Sequence, residues 1–352
     1  MRKLIVSASL VVMLAACHKP AEPGPQASGS PSAASETSAF TVTHVSLPGE
    51  GRGDYLLADS EGRRLYVTHG ARLHIIDLDT LKPVGEVDGL KYAHGVALDK
   101  ARGHGFVTDG DLQAVVMFDL STGKTIKMIP AGKKPDSILF DPASGMIFAF
   151  NGDSKDVSVI DPAIGKVVST IKLPNGPEFS QTDGKGKIWV NLEEGNDIAV
   201  IDAKAMKLSG TIPLPGCDGP APLAFDAANR VLFSGCGNKV MAVTDADSGK
   251  VLTTVPIGGG PDGIAFDPGR KRILVANRDG AWTIVTQDAK DKYTVSETLP
   301  IDEYAKTVTV DTKTHRAFSS TADLVWPKPA PGQKLLPNAK PGTFRLMVVS
   351  EK

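Results

Sequence analysis

The feature that most constrains this chain is a phrase it uses more than once. PDSILFDPASGMIFAFN begins at residue 135 and PDGIAFDPGRKRILVAN at residue 261, with eight of seventeen positions identical at a separation of 126 residues. Aligning the chain on the aspartate that ends each short apolar run gives Asp59, Asp99, Asp141, Asp183, Asp226, Asp267 and Asp311, at steps of 40, 42, 42, 43, 41 and 44 residues. A period near 42 sustained seven times marks a repeat architecture, and the separation of the two phrases is three periods. A chain of 352 residues is longer than one compact core supports, and repetition accounts for that length.

Each unit carries four runs of strand character separated by turn chemistry, with no stretch of helical period. The third unit reads SILFD, the turn PASG, MIFAFN, the loop GDSKD, VSVID, the turn PAIGK and VVSTIKL. Four strands of five to seven residues per unit describe a β-propeller blade. One such sheet cannot bury both faces, so seven must pack face to face around an axis. The seventh unit offers only three strands, at 307–311, 315–320 and 344–350, while FTVTHVSL at 40–47 stands alone before the first unit with the missing strand's alternation. The expected fold is therefore all-β, a seven-bladed propeller with four antiparallel strands per blade, its last blade completed by the N-terminal strand. That closure removes the open edges that invite aggregation.

The first residues lie outside this pattern. Arg2 and Lys3 precede an apolar run at 4–16, too short to span a bilayer and ending in small residues. Leu14-Ala15-Ala16-Cys17 resembles the lipobox of bacterial lipoproteins, which implies a signal peptide at 1–17 and lipidation of Cys17. Residues 18–39 include 16 Pro, Gly, Ser or Ala among 22, with no apolar face to offset the entropy of ordering, and read as a disordered tether reaching roughly 25 Å. By resemblance to lipoprotein sorting in Gram-negative bacteria, His18 in place of Asp implies the outer membrane. The propeller then occupies 40–352.

Removing residues 1–16 takes two basic residues and no acidic ones, leaving a net charge of −3 before the new terminus is counted. Such a surface opposes a nucleic-acid partner, which needs a concentrated basic stripe. With Cys17 assigned to lipid, Cys217 and Cys236 remain, and an isolated pair in an exported protein reads as a disulfide.

The segments LYVTHG at 65–70, VSVIDPAIGKVVSTI at 157–171 and GGGPDGIAFDP at 258–268 resemble the YVTN-repeat, or YncE-like, β-propellers. The resemblance covers residue 40 onward and implies a bacterial or archaeal, exported protein in a family of scattered function that includes a nucleic-acid-binding member. It carries no catalytic set. The fourth position of the namesake motif is His69 here rather than Asn.

Strand direction puts the start of every inner strand and the loop after every second strand on one face of the disc. Five residues before each anchor aspartate stand Asp54, His94, Asp136, Glu178, Ala221, Asp262 and Lys306. Four carboxylates, an imidazole and an ammonium would converge at the channel mouth, a polar funnel for a small ligand or a divalent cation. Aspartates at strand starts also bond their own turns, so a structural role competes with a binding one. The same face carries Asp109-Gly110-Asp111, Asn151-Gly152-Asp153, Glu193-Glu194 and Asn277-Arg278-Asp279, which lack calcium-loop spacing and read as turns. His69, His74 and His94 have no recognised metal spacing. There is no G-x-S-x-G elbow and no free mature thiol for nucleophilic catalysis. An insertion at 326–343, with Trp326, Lys328, Lys334 and Lys340, interrupts the seventh unit on this face. It reads as a cover over the channel, an extended docking segment or a tolerated insertion.

These readings converge on a lipid-anchored cell-envelope propeller acting as a non-catalytic binding or scaffold module, monomeric, for an envelope protein or a small molecule. The alternative is a metal-assisted lyase or hydrolase built on the polar mouth. No cofactor is expected beyond a divalent cation in that alternative.

Overall fold

The computed structural model describes residues 38–328 and 336–352. The signal peptide, Cys17 and most of the tether lie outside the described residues, as does Lys334. Seven four-stranded antiparallel sheets make up the propeller, and each is a consecutive meander except one. The third blade runs Pro135–Asp141, Met146–Asn151, Asp156–Asp161 and Lys166–Lys172, within a residue or two of the limits read from the sequence. The exception is the seventh, where Phe40–Ser46 pairs antiparallel with Arg345–Glu351, from Phe40 opposite Glu351 to Ser46 opposite Arg345. Arg316–Thr321 and Thr309–Asp311 complete that sheet. The expected closure by the N-terminal strand is present.

Burial explains the sequence pattern strand by strand. Second and third strands, such as Met146–Asn151 and Asp156–Asp161, are covered on both faces and read as nearly continuous apolar runs. Outer strands such as Lys166–Lys172 alternate exposed residues with half-buried or buried ones and carry lysines at their ends. The apolar core divides into seven clusters, one in each seam between neighbouring blades. In the seam of blades 3 and 4, Phe148, Phe150 and Val159 meet Ile188, Val190 and Ile201.

The anchor aspartates do two jobs. Each accepts backbone amides of its own tight turn, as Asp141 does from Ser144 at 2.8 Å and Asp59 from Gly62 at 2.9 Å. Most also reach the next blade: Asp59 pairs with Lys100, Asp141 accepts from Thr182, Asp226 from Gln287, and Asp267 meets His315. Asp311 accepts from Arg63, which carries the latch across the closing seam. These links explain why the aspartate recurs, and they support a structural role at the face opposite the mouth.

That closing seam holds an unusual pair. His69 and His74 are buried, with His69 Nδ1 3.1 Å from His74 Nε2, and the His69 ring stacks on Phe344 at 3.5 Å between centroids. Burial lowers both imidazoles to about 4, helped for His69 by its partner and for both by Arg72. A histidine whose folded pKa is depressed contributes stability that is present above its unfolded pKa of about 6.5 and is lost as pH falls through the folded value. Thermal unfolding should therefore show stability dropping between pH 6.5 and 4. In a His74→Leu variant the slope over that window should be shallower, whatever the variant's baseline.

Candidate functional site

The register between inner and second strand slips at the same place in blades 1 to 6, between Gly53 and Leu56, Ala93 and Val96, Pro135 and Ile138, Pro177 and Ser180, Pro220 and Leu223, and Pro261 and Gly263. A bulge re-aims the side chain it carries. The residues inside these slips include Asp54, His94, Asp136, Glu178, Ala221 and Asp262, six of the seven positions picked out from the sequence. In blade 7 the corresponding Lys306 precedes the short inner strand Thr309–Asp311.

The structure brings most of these residues into one chain of contacts. His94 Nδ1 lies 2.5 Å from Asp54 Oδ2 and 3.7 Å from Asp136 Oδ1. Lys306 Nζ donates to Asp54 Oδ1 at 2.8 Å and to Asp262 Oδ2 at 2.5 Å. Arg278, from the loop after the second strand of blade 6, donates to Asp262 Oδ1 at 2.7 Å. Blades 1, 2, 6 and 7 are thereby tied together across the mouth. Backbone carbonyls at the same level are satisfied from the neighbouring blade, by Thr307 Oγ1 on Asp54 O at 2.5 Å and Ser137 Oγ on Glu178 O at 2.5 Å. Ala221 adds no polar group, and no side-chain hydrogen bond joins Glu178 to the network among the described residues.

The environment sorts the carboxyls. Burial alone would raise Asp54, but the Lys306 charge and the hydrogen bond from His94 hold it well below the usual carboxylate range. Burial raises Asp136, aided by Asp54 and opposed by His94, and its buried Oδ1, 3.7 Å from His94, receives no hydrogen bond among the described residues. Burial lifts Glu178 to about 8, with Asp136 and Glu193 adding repulsion, so it is largely protonated at pH 7. His94, although buried, is raised by Asp54 and Asp136, and Lys306 is raised by Asp262 and Asp54 against its own desolvation.

Beneath this layer the channel narrows. Tyr55 of blade 1 and Phe179 of blade 4 come from nearly opposite sides of the ring, and their centroids are 5.2 Å apart. Below them a cavity of about 540 Å³ continues past Leu57, Leu98, Leu139 and Phe140 to Asp59 and Lys100 at the other face. The charged mouth and the mixed channel beneath it, lined by Leu57, Leu98 and Phe140 but also by Ser137, Ser180 and Gln181, are thus distinct compartments.

Other sequence candidates fall where turns need them. Asp109 accepts the amides of Lys91 and Tyr92, Asn151 bonds Asp156 and Ser158, Glu194 pairs with Lys155, and Asp279 accepts the Gly259 amide. His69 and His74 sit in the closing seam, apart from His94. Cys217 and Cys236 form the expected disulfide, S–S 2.00 Å, with both residues buried. The insertion begins as a two-residue ladder, Leu324–Val325 on Asn338–Ala339. Trp326 follows, packing edge-on against Tyr304 at 6.2 Å and donating to Glu303 at 3.1 Å.

Four mouth residues escape a reading confined to one register: Arg52, Tyr92, Tyr304 and Arg278 as a ligand of Asp262. A signal for the first three exists, because they stand two residues before Asp54, His94 and Lys306.

Asp54, His94 and Asp136 present ligand atoms within 4.8 Å of one another, a spacing compatible with a cation. Lys306 already supplies positive charge to that group.

Comparison with solved structures finds the same fold in proteins of unrelated sequence. Hydrazine synthase of Kuenenia stuttgartiensis aligns with a TM-score of 0.66 at 17% identity, covering 79% of this chain and 94% of that one. U3-55K aligns at 0.71 and 6% identity over 87% and 98%, and the WD40 repeats of RRP9 at 0.72 and 6% over 88% and 97%. No family model and no curated protein matches the chain. The likeness is one of fold, a seven-bladed β-propeller.

Two outcomes follow for the mouth. Lys306→Met should cost about 3–5 kcal/mol in denaturant unfolding, because Asp54 and Asp262 lose their shared counter-charge while staying buried. Glu178 behaves in the opposite sense to the histidines: its raised pKa gives stability that is full below its unfolded value and is lost as pH rises through about 8. Glu178→Gln should therefore gain stability over the parent progressively from pH 4.5 to beyond 8, read as the difference in unfolding midpoint.

Proposed function

We propose that this protein is a non-catalytic binding or scaffold module of the bacterial cell envelope, a YVTN-type propeller anchored in the outer membrane through a lipidated Cys17. It engages an envelope protein or a small molecule with the face that carries the channel mouth. The observation that carries this reading is the composition of that face. Arg52, Tyr92, Arg278, Tyr304 and Trp326 crowd the rim, and Trp326 is 48% exposed. Trp, Tyr and Arg are the residues that dominate binding energy at interfaces. Meanwhile Asp54, His94, Asp262 and Lys306 below are matched to one another. WD40 repeats among the proteins of like fold are consistent with a scaffold, and the near-neutral charge disfavours nucleic acid.

In cells, the full-length protein with Trp326 replaced by a photo-reactive phenylalanine should cross-link to a discrete envelope component, whereas the same probe at Glu61 on the opposite face should not. Equal labelling at both positions, or none at Trp326, would remove the support for this face. The anchor is tested separately: Cys17→Ser should move the protein from the membrane fraction to the soluble fraction.

A second reading, metal-assisted lysis or hydrolysis, has one observation in its favour, the Asp54–His94–Asp136 group. An ion there must compete with Lys306 for Asp54. Elemental analysis of the purified protein and thermal unfolding with and without chelator decide between the readings: we expect no stoichiometric metal and no chelator-induced shift.

A further inference from the structure

Seven residues before each anchor aspartate, one pleat above the carboxylate layer, the repeat places Arg52, Tyr92, Lys134, Gly176, Gly219, Gly260 and Tyr304. Long side chains fill this upper ring on blades 7, 1, 2 and 3, and glycines leave it bare on blades 4, 5 and 6. Tyr304 stands here at φ +63 and Lys134 at +53, where blades 5 and 6 use Gly219 at +59 and Gly260 at +64. The position is left-handed in all four blades, a conformation that glycine adopts at least cost, and blades 3 and 7 carry a long side chain there nonetheless.

What Tyr304 does with this position is visible. The guanidiniums of Arg52 and Arg278 both lie over its ring, at 5.8 and 5.9 Å from the centroid. Its hydroxyl accepts from Arg52 at 3.4 Å, and the Tyr92 hydroxyl accepts from the other arm of Arg52 at 3.2 Å. Trp326 closes the far edge of Tyr304, with its indole N–H taken by Glu303.

The charges are unevenly settled. Lys306 stands against Asp54 and Asp262, Arg278 stands against Asp262, and burial keeps Glu178 largely neutral at pH 7. Arg52 is part-buried, and among the described residues only phenol oxygens receive its donors. A guanidinium fork prefers a bidentate anion to neutral acceptors, and aromatic faces beside it suit a flat body.

We infer that Arg52, held by Tyr92 and Tyr304 beside Trp326, is the recognition site for an organic anion, its carboxylate or phosphate head on the guanidinium and its flat body against the accessible rings of Tyr92 and Trp326. The inference rests on the mouth being a recognition face and names the chemistry it selects.

The protein carries its own reporter. Trp189 and Trp282 are fully buried, so a ligand at the rim changes the fluorescence of Trp326. Purified protein is titrated with benzoate, phenyl phosphate and neutral benzamide. Saturable change with at least one of the anions, and at least ~10-fold weaker binding of benzamide, is expected. The two anion arms tell carboxylate from phosphate. Arg52→Gln should weaken the preferred anion by ~10-fold or more, and Arg52→Lys, which keeps the charge but loses the fork, should fall between. Lys313→Gln on the opposite face should titrate like the parent. The inference is overturned if neither anion saturates, if benzamide binds as well as benzoate and phenyl phosphate, or if Arg52→Lys and Arg52→Gln both bind like the parent. Should anion binding fail while cross-linking at Trp326 persists, this inference falls alone; the reverse result removes the partner reading alone.

Discussion

The antiparallel ladder between Phe40–Ser46 and Arg345–Glu351 is the constraint on which the rest of the molecule depends. A meander of four-stranded sheets has no reason to stop at a given curvature, and each blade is stable only between two neighbours. Joining the first strand to the last converts six blade-to-blade seams into seven. Leu47, Phe344 and Phe318 then occupy the seam of blades 7 and 1 as Phe148 and Val190 occupy that of blades 3 and 4. The Arg63 to Asp311 pair and the His69 stack on Phe344 lie across the same joint.

Closure also creates the mouth. Residues as distant in sequence as Asp54 and Lys306 meet only because the ring brings blade 1 beside blade 7. The repeat supplies seven equivalent backbone positions with similar bulges. Function becomes possible when those positions hold different side chains. Asp54, His94, Asp262 and Lys306 form a linked network on one arc, while Ala221 leaves blade 5 without a polar group. The upper ring is biased the same way, with Arg52, Tyr92, Lys134 and Tyr304 on one arc and glycines on the other. The polarised mouth is therefore a departure from sevenfold symmetry, built on a scaffold that enforces it.

How far the sequence foretells this depends on whether information is local or repeated. The anchor aspartates were legible because each closes a local turn and recurs; their links to the next blade, such as Asp141 to Thr182, were not, because those depend on how blades stack. The disulfide followed from cysteine count together with the exported compartment that the lipobox resemblance implies. The lower mouth ring followed from strand direction and register. Arg52, Tyr92 and Tyr304 follow the same logic one pleat higher, but their role appears only when Arg278 arrives from a loop that resembles an ordinary Asn-Arg-Asp turn. The Tyr55 to Phe179 contact across the channel could not be foreseen, since it depends on ring diameter and side-chain rotamer together.

Native-state hydrogen exchange tests the closure most directly. If the N-terminal strand is an integral part of the ring, those amides of Phe40–Ser46 that bond Arg345–Glu351 exchange only with global opening, as slowly as the paired amides of the outer strand Lys166–Lys172. Exchange at Phe40–Ser46 orders of magnitude faster, with the other outer strands protected, would show a ring held open at that joint and would contradict the account.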